Sequence, residues 1–313
     1  MNRHTKILVT GANGLLGSQI VNILKKKNYK KIYTTNSKNL NLFNYKIIDS
    51  FFKKNRPEII FHAANKVYGI TGNQNNSFNM LNENLVMNSN LILAAKKYKI
   101  KKIIFISSAA IYSEKLKSNI KEKNFFYGKP HKAEYYYGLS KRIFYDQLVS
   151  LNLDHKINYS YIIMNNLYGP NDNFNIKNGH VIPSLIHKFH IAKKNNSYVQ
   201  ILGKKKDKRC FLFSEDAAKA VVKIAGKNIK LINVSSSKEY TIYTLVNKIA
   251  RIFNYNNKIL WKSLGFKSPS RRKLNISLLK KINFNESTSL DSGLHKTIKW
   301  FKVNFKKKHT RVT

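Results

Sequence analysis

Thr10-Gly11-Ala12-Asn13-Gly14-Leu15-Leu16-Gly17 follows the short apolar run Ile7-Leu8-Val9 and opens an apolar-periodic segment that continues to Leu24. The glycines are spaced G-x-x-G-x-x-G. In a strand–turn–helix that holds a pyrophosphate, each has its own task. Gly11 permits the tight turn out of the strand, Gly14 lets the backbone approach the anion, and Gly17 lets the helix pack close on the strand. The helix N-terminus then faces the anion with unpaired N–H groups. Alone, the pattern also fits an ordinary glycine-rich turn. A second constellation separates the two readings. Tyr137-Gly138-Leu139-Ser140-Lys141 is Y-x-x-x-K, and upstream of it Ser107-Ser108 follows the apolar run Ile103-Ile104-Phe105-Ile106. Together they read as a nicotinamide-dependent enzyme with a Ser-Tyr-Lys site.

Outward from the glycine turn, apolar runs alternate with longer amphipathic segments. Strands are expected at 6–10, 31–35, 58–63, 101–107 and 158–164, and helices at 15–27, 45–55, 80–98 and 135–153. Such alternation implies parallel strands with right-handed crossovers, an α/β Rossmann-type doubly wound sheet with its ligand at the carboxyl ends of the strands. Gly11, Ala63-Ala64, Ser107-Ser108 and Asn165-Asn166 all fall at such ends. Beyond Gly169 the pattern loosens. Helices are expected at 181–194, at 214–225 with Ser214 as cap, and at 241–253 capped by Thr241, with a strand at 199–202. Leu290, Leu294, Ile298 and Phe301 mark a last amphipathic helix. The expected organisation is a dinucleotide-binding domain over 1–170, rejoined by some later segments, a smaller substrate-binding lobe over 171–305, and a frayed basic tail over 306–313.

The chain of 313 residues is long enough for this plan, and its single cysteine, Cys210, excludes an internal disulfide and any cysteine-based metal cluster. No metal is expected. No apolar run reaches membrane-spanning length, and a cytoplasmic location is expected. The net charge of +43 would ordinarily suggest a polyanion partner. The lysines are scattered, however, and asparagine and isoleucine are also abundant, which reads as compositional drift. No specific nucleic-acid partner is expected, although the positive field should attract anionic substrates.

Hydride transfer to a sugar carbonyl needs a proton donor beside the carbonyl oxygen. Tyr137 fits if the ammonium of Lys141, one helical turn away, lowers its phenol pKa. Ser108 would hydrogen-bond the same oxygen. A reader of NAD usually carries a carboxylate after the second strand. Here that place is Thr34-Thr35-Asn36-Ser37-Lys38. A 2′-phosphate would be tolerated there and Lys38 could meet it, so NADP is favoured, with NAD still possible.

The chain resembles the extended short-chain dehydrogenases/reductases and, within them, the GDP-L-fucose synthase group. The resemblance rests on Leu40-Asn41-Leu42, Ala63-Ala64-Asn65-Lys66-Val67, the run from Asn166-Leu167-Tyr168-Gly169-Pro170 through Asn171-Asp172-Asn173-Phe174, His180-Val181-Ile182-Pro183, and Arg209-Cys210-Phe211-Leu212. It implies reduction with NADPH at C4 of a GDP-4-keto-6-deoxyhexose, a nucleotide-diphosphate sugar, after epimerisation at C3 and C5. Ser108, Tyr137, Lys141 and His180 are the implied catalytic residues. The implied cofactor contacts are Gly11, Asn13, Gly14, Leu15, Leu16 and Gly17 from the turn, and Lys38, Asn41, Leu42, Ala63, Ala64 and Lys66 from the next strand ends. Tyr137, Lys141, Asn166 and His180 complete that set. Ser108, Asn166, Lys188, Leu202, Arg209 and Lys273 are implied for the substrate. A homodimer through the helices at 80–98 and 135–153 is implied too.

The group's epimerisation pair is a histidine and a cysteine. His180 takes the first place, but Ala110 stands where the cysteine is implied, so slow or absent epimerisation is expected. Ser108-Ala109-Ala110 also lacks the acid pair of the nucleotide-sugar 4,6-dehydratases. Two rival readings stay open: a C4 epimerase with tightly held NAD, and a non-catalytic polyanion-binding protein.

Overall fold

The structure is a computed structural model describing residues 1–36, 39–67, 76–262, 271–305, 307 and 310–312. In chain order the first half runs β1 (Ile7–Thr10), α1 (Leu15–Lys26), β2 (Ile32–Thr34), α2 (Tyr45–Asn55), β3 (Ile59–His62), α3 (Ser77–Lys97), β4 (Lys102–Ser108), α4 (Tyr135–His155) and β5 (Asn158–Met164). The second half adds β6 (Asn166–Tyr168), α5 (Val181–Lys194), β7 (Val199–Leu202), β8 (Lys208–Phe213), α6 (Ser214–Ala225), β9 (Leu231–Val234), β10 (Glu239–Thr241), α7 (Ile242–Ile252), β11 (Ile259–Lys262), α8 (Ser277–Lys281) and α9 (Leu290–Asn304).

The main sheet is parallel throughout, in the order β2-β1-β3-β4-β5-β9. Its central strands are apolar on both faces, because the two-residue period of a strand feeds two separate cores. Ile7, Val9, Ile59, Phe61, Ile104 and Ile162 point to one side, where they pack with Ile20 and Leu24 of α1 and Val221 and Ile224 of α6. Leu8, Ile60, Ile103, Phe105, Tyr161 and Ile163 point to the other, against Phe52 of α2, Leu91 of α3 and Phe144 and Leu148 of α4. The chain turns outward from β1 to β2 and then returns to β3 on the other flank, so the crevice between the carboxyl ends of β1 and β3 is the topological switch point.

A third core, around Phe174, Ile186, Phe189, Leu245, Ile249 and Phe301, joins α5, α7 and α9 to the smaller sheets β10-β8-β6 and β11-β7. Helix α6 and strand β9 return from this second half to the main sheet.

Two sequence expectations are corrected. Ser214 does not cap α6: Phe213 holds the cap position, and the Ser214 hydroxyl is buried inside the first turn. Thr241, by contrast, caps α7 by accepting from the Thr244 N–H. Nor are residues 310–312 frayed. Phe174 donates to the Arg311 carbonyl at 2.7 Å, the Thr310 hydroxyl donates to the Asn304 carbonyl at 2.6 Å, and Val312 packs on the third core.

Candidate active site

At the switch point Gly11 adopts φ +66°, and its backbone lies so close to the β3 end that a Cβ would stand 2.8 Å from the Ala64 nitrogen. A Cβ on Gly17 would meet the Gly11 carbonyl at 2.1 Å. Helix α1 therefore starts directly under the turn, and no acidic residue in its first turn opposes an anion. Gly11, Asn13, Gly14, Leu15, Leu16 and Gly17 line a cleft of about 530 Å³ that also reaches Thr35, Asn36, Asn41, Leu42, Ala63, Ala64 and Lys66. The shape and the free N–H groups fit a dinucleotide. Lys38 lies outside the described residues.

Below the turn runs a buried polar chain. Thr10 Oγ1 lies 2.7 Å from His62 Nδ1, His62 Nε2 lies 3.0 Å from Asn88 Oδ1, and the Ala64 N–H donates to Thr10 Oγ1 at 3.3 Å. Burial pushes His62 down to about 4, so the ring stays neutral and fixes the β1 and β3 ends without adding charge.

The cleft continues past Ser108, Ala109, Tyr137, Asn166 and His180. Ser108 ends β4, and its hydroxyl oxygen accepts from the Ala110 N–H at 3.2 Å, capping the short turn Ala109–Ile111. Ala110 itself is buried and lines none of this cleft. Tyr137 lies in the first turn of α4. Lys141, one turn on, is buried with its ammonium 5.2 Å from the Tyr137 ring centre and donates to Asn65 Oδ1. The Lys141 carbonyl accepts from the Tyr161 hydroxyl at 2.8 Å, and Ser107 donates to that hydroxyl at 2.7 Å.

The expectation that Lys141 lowers the Tyr137 phenol is corrected. Burial raises the phenol above its ordinary value, and the Glu134 carboxylate pushes the same way. Burial also draws Lys141 down to about 7. Desolvation outweighs the attraction because neither group is wet enough to keep its charge cheaply.

Four further charged groups among the described residues line the cleft that the sequence did not single out as site residues, although Asp172 lies within a quoted motif. Glu134 Oε2 lies 3.0 Å from Arg272 Nη1. Asp172 Oδ1 lies 3.8 Å from His180 Nδ1, and Arg311 stands on the rim. Arg272 Nη2 and Asp172 Oδ2 are buried without a hydrogen-bond partner among the described residues, capacity that a ligand or water can fill. Glu134 was legible as an acid three residues before Tyr137; Arg311 carried no signal in a lysine-rich tail.

The implied substrate residues divide. Ser108 and Asn166 line the cleft; Lys188, Leu202, Arg209 and Lys273 do not. Lys188 is occupied by the Gln200 carbonyl at 3.1 Å, Leu202 is half exposed, and Lys273 lies 3.6 Å from Glu239 beside a separate polar cavity. Arg209 donates to the Lys208 carbonyl at 2.9 Å, and burial holds it below its usual value against the charge of Asp207. Cys210 is buried, its thiol pushed up to about 11.

Desolvation lowers His180, but the Asp172 carboxylate 3.8 Å from its half-exposed ring outweighs it, leaving the imidazole above its ordinary value. The stabilisation from that pairing is complete below the unfolded pKa and is lost as pH rises through the folded one. Asp172→Asn should return the His180 pKa to or below the ordinary histidine range, read by NMR titration of the imidazole. A wild-type value already in that range would refute the pairing.

The model of the NAD dependent epimerase/dehydratase family matches residues 7–235. The chain is similar to GDP-L-colitose synthase of Yersinia pseudotuberculosis, 32% identical over 95% of this chain and 97% of that protein. It is similar to GDP-L-fucose synthase of Escherichia coli (strain K12), 28% identical over 96% and 97%. Among solved structures, a GDP-L-fucose synthetase from Naegleria fowleri bound to NADP superposes with a TM-score of 0.89, at 27% identity, covering 99% of this chain and 96% of that one. With the glycine turn, the parallel sheet and the match over most of its length, the chain belongs to the NAD dependent epimerase/dehydratase family.

Proposed function

We propose that the protein reduces the C4 carbonyl of a GDP-4-keto-6-deoxyhexose with NADPH. The observation that carries this reading is the meeting of Ser108 and Tyr137, backed by Lys141, in the same cleft as the glycine turn. The names of the similar proteins supply the substrate class, and the NADP bound to the Naegleria protein supports the cofactor.

The nicotinamide supplies the hydride when bound. The first N–H groups of α1 would hold the cofactor's diphosphate. The Ser108 and Tyr137 hydroxyls orient and polarise the carbonyl oxygen. Because burial keeps Tyr137 protonated, it stands ready as a donor, and an alkoxide is basic enough to take its proton. Charge on Lys141 stabilises the phenolate left behind, and Asn65 holds that lysine in place. Asp172 raises the His180 pKa above its ordinary value and so favours the protonated ring in the cleft.

A homodimer belongs to the same reading, supported by exposed Phe78, Val86 and Leu93 on α3 and Leu153 on α4. So does a cytoplasmic location, where NADPH and nucleotide sugars are supplied. Among the described residues no helix is long and apolar enough to cross a membrane.

The test follows NADPH oxidation by absorbance with the GDP-4-keto-6-deoxyhexose. Thr34, Thr35 and Asn36 offer no carboxylate to a ribose 2′-hydroxyl, so kcat/KM should favour NADPH over NADH by tenfold or more, ~1.4 kcal/mol. A tenfold preference for NADH would overturn the cofactor, and C4 inversion without net NADPH oxidation would establish the epimerase instead.

A further inference from the structure

Residues 310–312, part of the tail expected to fray, instead dock along the rim of the cleft. Phe174 donates to the Arg311 carbonyl at 2.7 Å, Asn173 and Arg311 form a parallel bridge, and Thr310 is buried. These bonds fix the backbone that carries the Arg311 side chain. Its Nη2 donates to the Asn171 carbonyl at 2.7 Å, and the side chain lines the same cleft as Gly14, Leu15 and Leu16. Asn171 in turn reaches α1: its Nδ2 donates to Ser18 Oγ at 3.3 Å. Two bonded steps thus join the guanidinium to the first turns of α1.

We propose that Arg311 is a ligand of the cofactor's diphosphate, presented from the docked segment opposite the α1 N-terminus. This deepens the reading of the site as a dinucleotide cleft and rests on it. A diphosphate carries its charge over both phosphates, and the N–H groups of one helix end neutralise it only in part. A guanidinium forks onto phosphate oxygens and adds a full charge. The other anions of the reaction are assigned separate places in this proposal, which the NADH and GDP measurements test. The 2′-phosphate belongs at the β2 end, where Thr35 and Asn36 line the cleft. The substrate diphosphate belongs beyond Ser108 and Tyr137, toward the second lobe.

Dissociation constants for NADPH and NADH are measured by fluorescence titration without sugar, and for GDP by calorimetry. The wild type is compared with Arg311→Gln, Arg311→Lys and Lys307→Gln. The diphosphate is common to both dinucleotides, so Arg311→Gln should weaken NADPH and NADH alike, by about tenfold. Arg311→Lys should recover part of that loss, and GDP binding should not change. Lys307→Gln removes an exposed charge from the same segment outside the cleft and should change nothing. Circular dichroism and melting temperature check that each variant is folded. Unchanged dinucleotide binding in Arg311→Gln overturns the proposal, as does a loss confined to NADPH or to GDP. Equal weakening by Lys307→Gln also overturns it, since a general field would then suffice. Wild-type protein that binds neither dinucleotide overturns the cofactor reading, and this proposal with it.

Discussion

Tyr137→Phe should lower kcat by about a thousandfold, within the range a positioned proton donor supplies, while NADPH affinity stays within a few-fold. The phenol is the group that can protonate the reduced oxygen. Cofactor binding draws instead on the glycine turn and the cleft around it. The ring remains in the variant, so the packing under the Lys141 ammonium, 5.2 Å from the ring centre, is retained. Stopped-flow measurement of NADPH oxidation separates the hydride step from product release. Turnover within tenfold of wild type would mean that another group, Ser108 or a water, delivers the proton. A matching loss of NADPH affinity would mean that the hydroxyl holds the cofactor rather than the substrate oxygen. Ser108→Ala should cost less, since the serine shares the same oxygen without giving up a proton.

The first half of the fold was legible because its strands are buried on both faces. Ile7, Leu8 and Val9 serve two different cores, so the sequence shows an unbroken apolar run where a half-buried strand would alternate. The second half hides its strands for the opposite reason. Asn166–Tyr168 and Glu239–Thr241 are three-residue strands with polar, partly exposed positions, and no periodicity survives at that length. Ser214 looked like a cap because its hydroxyl could serve as one, but β8 runs straight into α6 and leaves Phe213 in that place.

The site divides in the same way. Residues tied to local backbone geometry, such as Gly11 and Gly17, could be read from spacing. Asn65 lay inside a motif already noted, yet its bond to Lys141 joins residues remote in sequence. Arg311 reaches the cleft only because residues 173–174 bridge to it. Spacing also misleads on electrostatics. One helical turn places Lys141 beside Tyr137, but the sequence does not show that Lys141 is buried and Tyr137 half-buried, and desolvation reverses the shift expected of the phenol.

In heavy water the enzyme should form a C4-reduced sugar carrying no more deuterium at C3 and C5 than the ketone acquires without enzyme. Inverting a carbon beside the carbonyl requires one group to remove a proton from one face and another to deliver one to the opposite face. Losing either typically costs 10²–10⁴ in rate. His180, held above its ordinary pKa by Asp172, is suited to deliver a proton. The complementary base is the difficulty. Ala110 has only a methyl group, and it is buried away from the cleft. Cys210 is buried in β8 with its thiol pushed up to about 11, so it offers little thiolate at neutral pH. Asp172 is engaged with His180 and with the Asn173 N–H at 2.7 Å. Glu134 is the other carboxylate lining the cleft, and its Oε2 lies 3.0 Å from Arg272. That pairing engages the carboxylate with a guanidinium, which it would have to leave to reach a proton on C3 or C5. Mass spectrometry and proton NMR of the product locate any deuterium. Full incorporation at both carbons would overturn this expectation, and Glu134→Gln would then be the first variant to examine, since among the described residues Glu134 and Asp172 are the carboxylates lining the cleft and Asp172 is the one paired with His180.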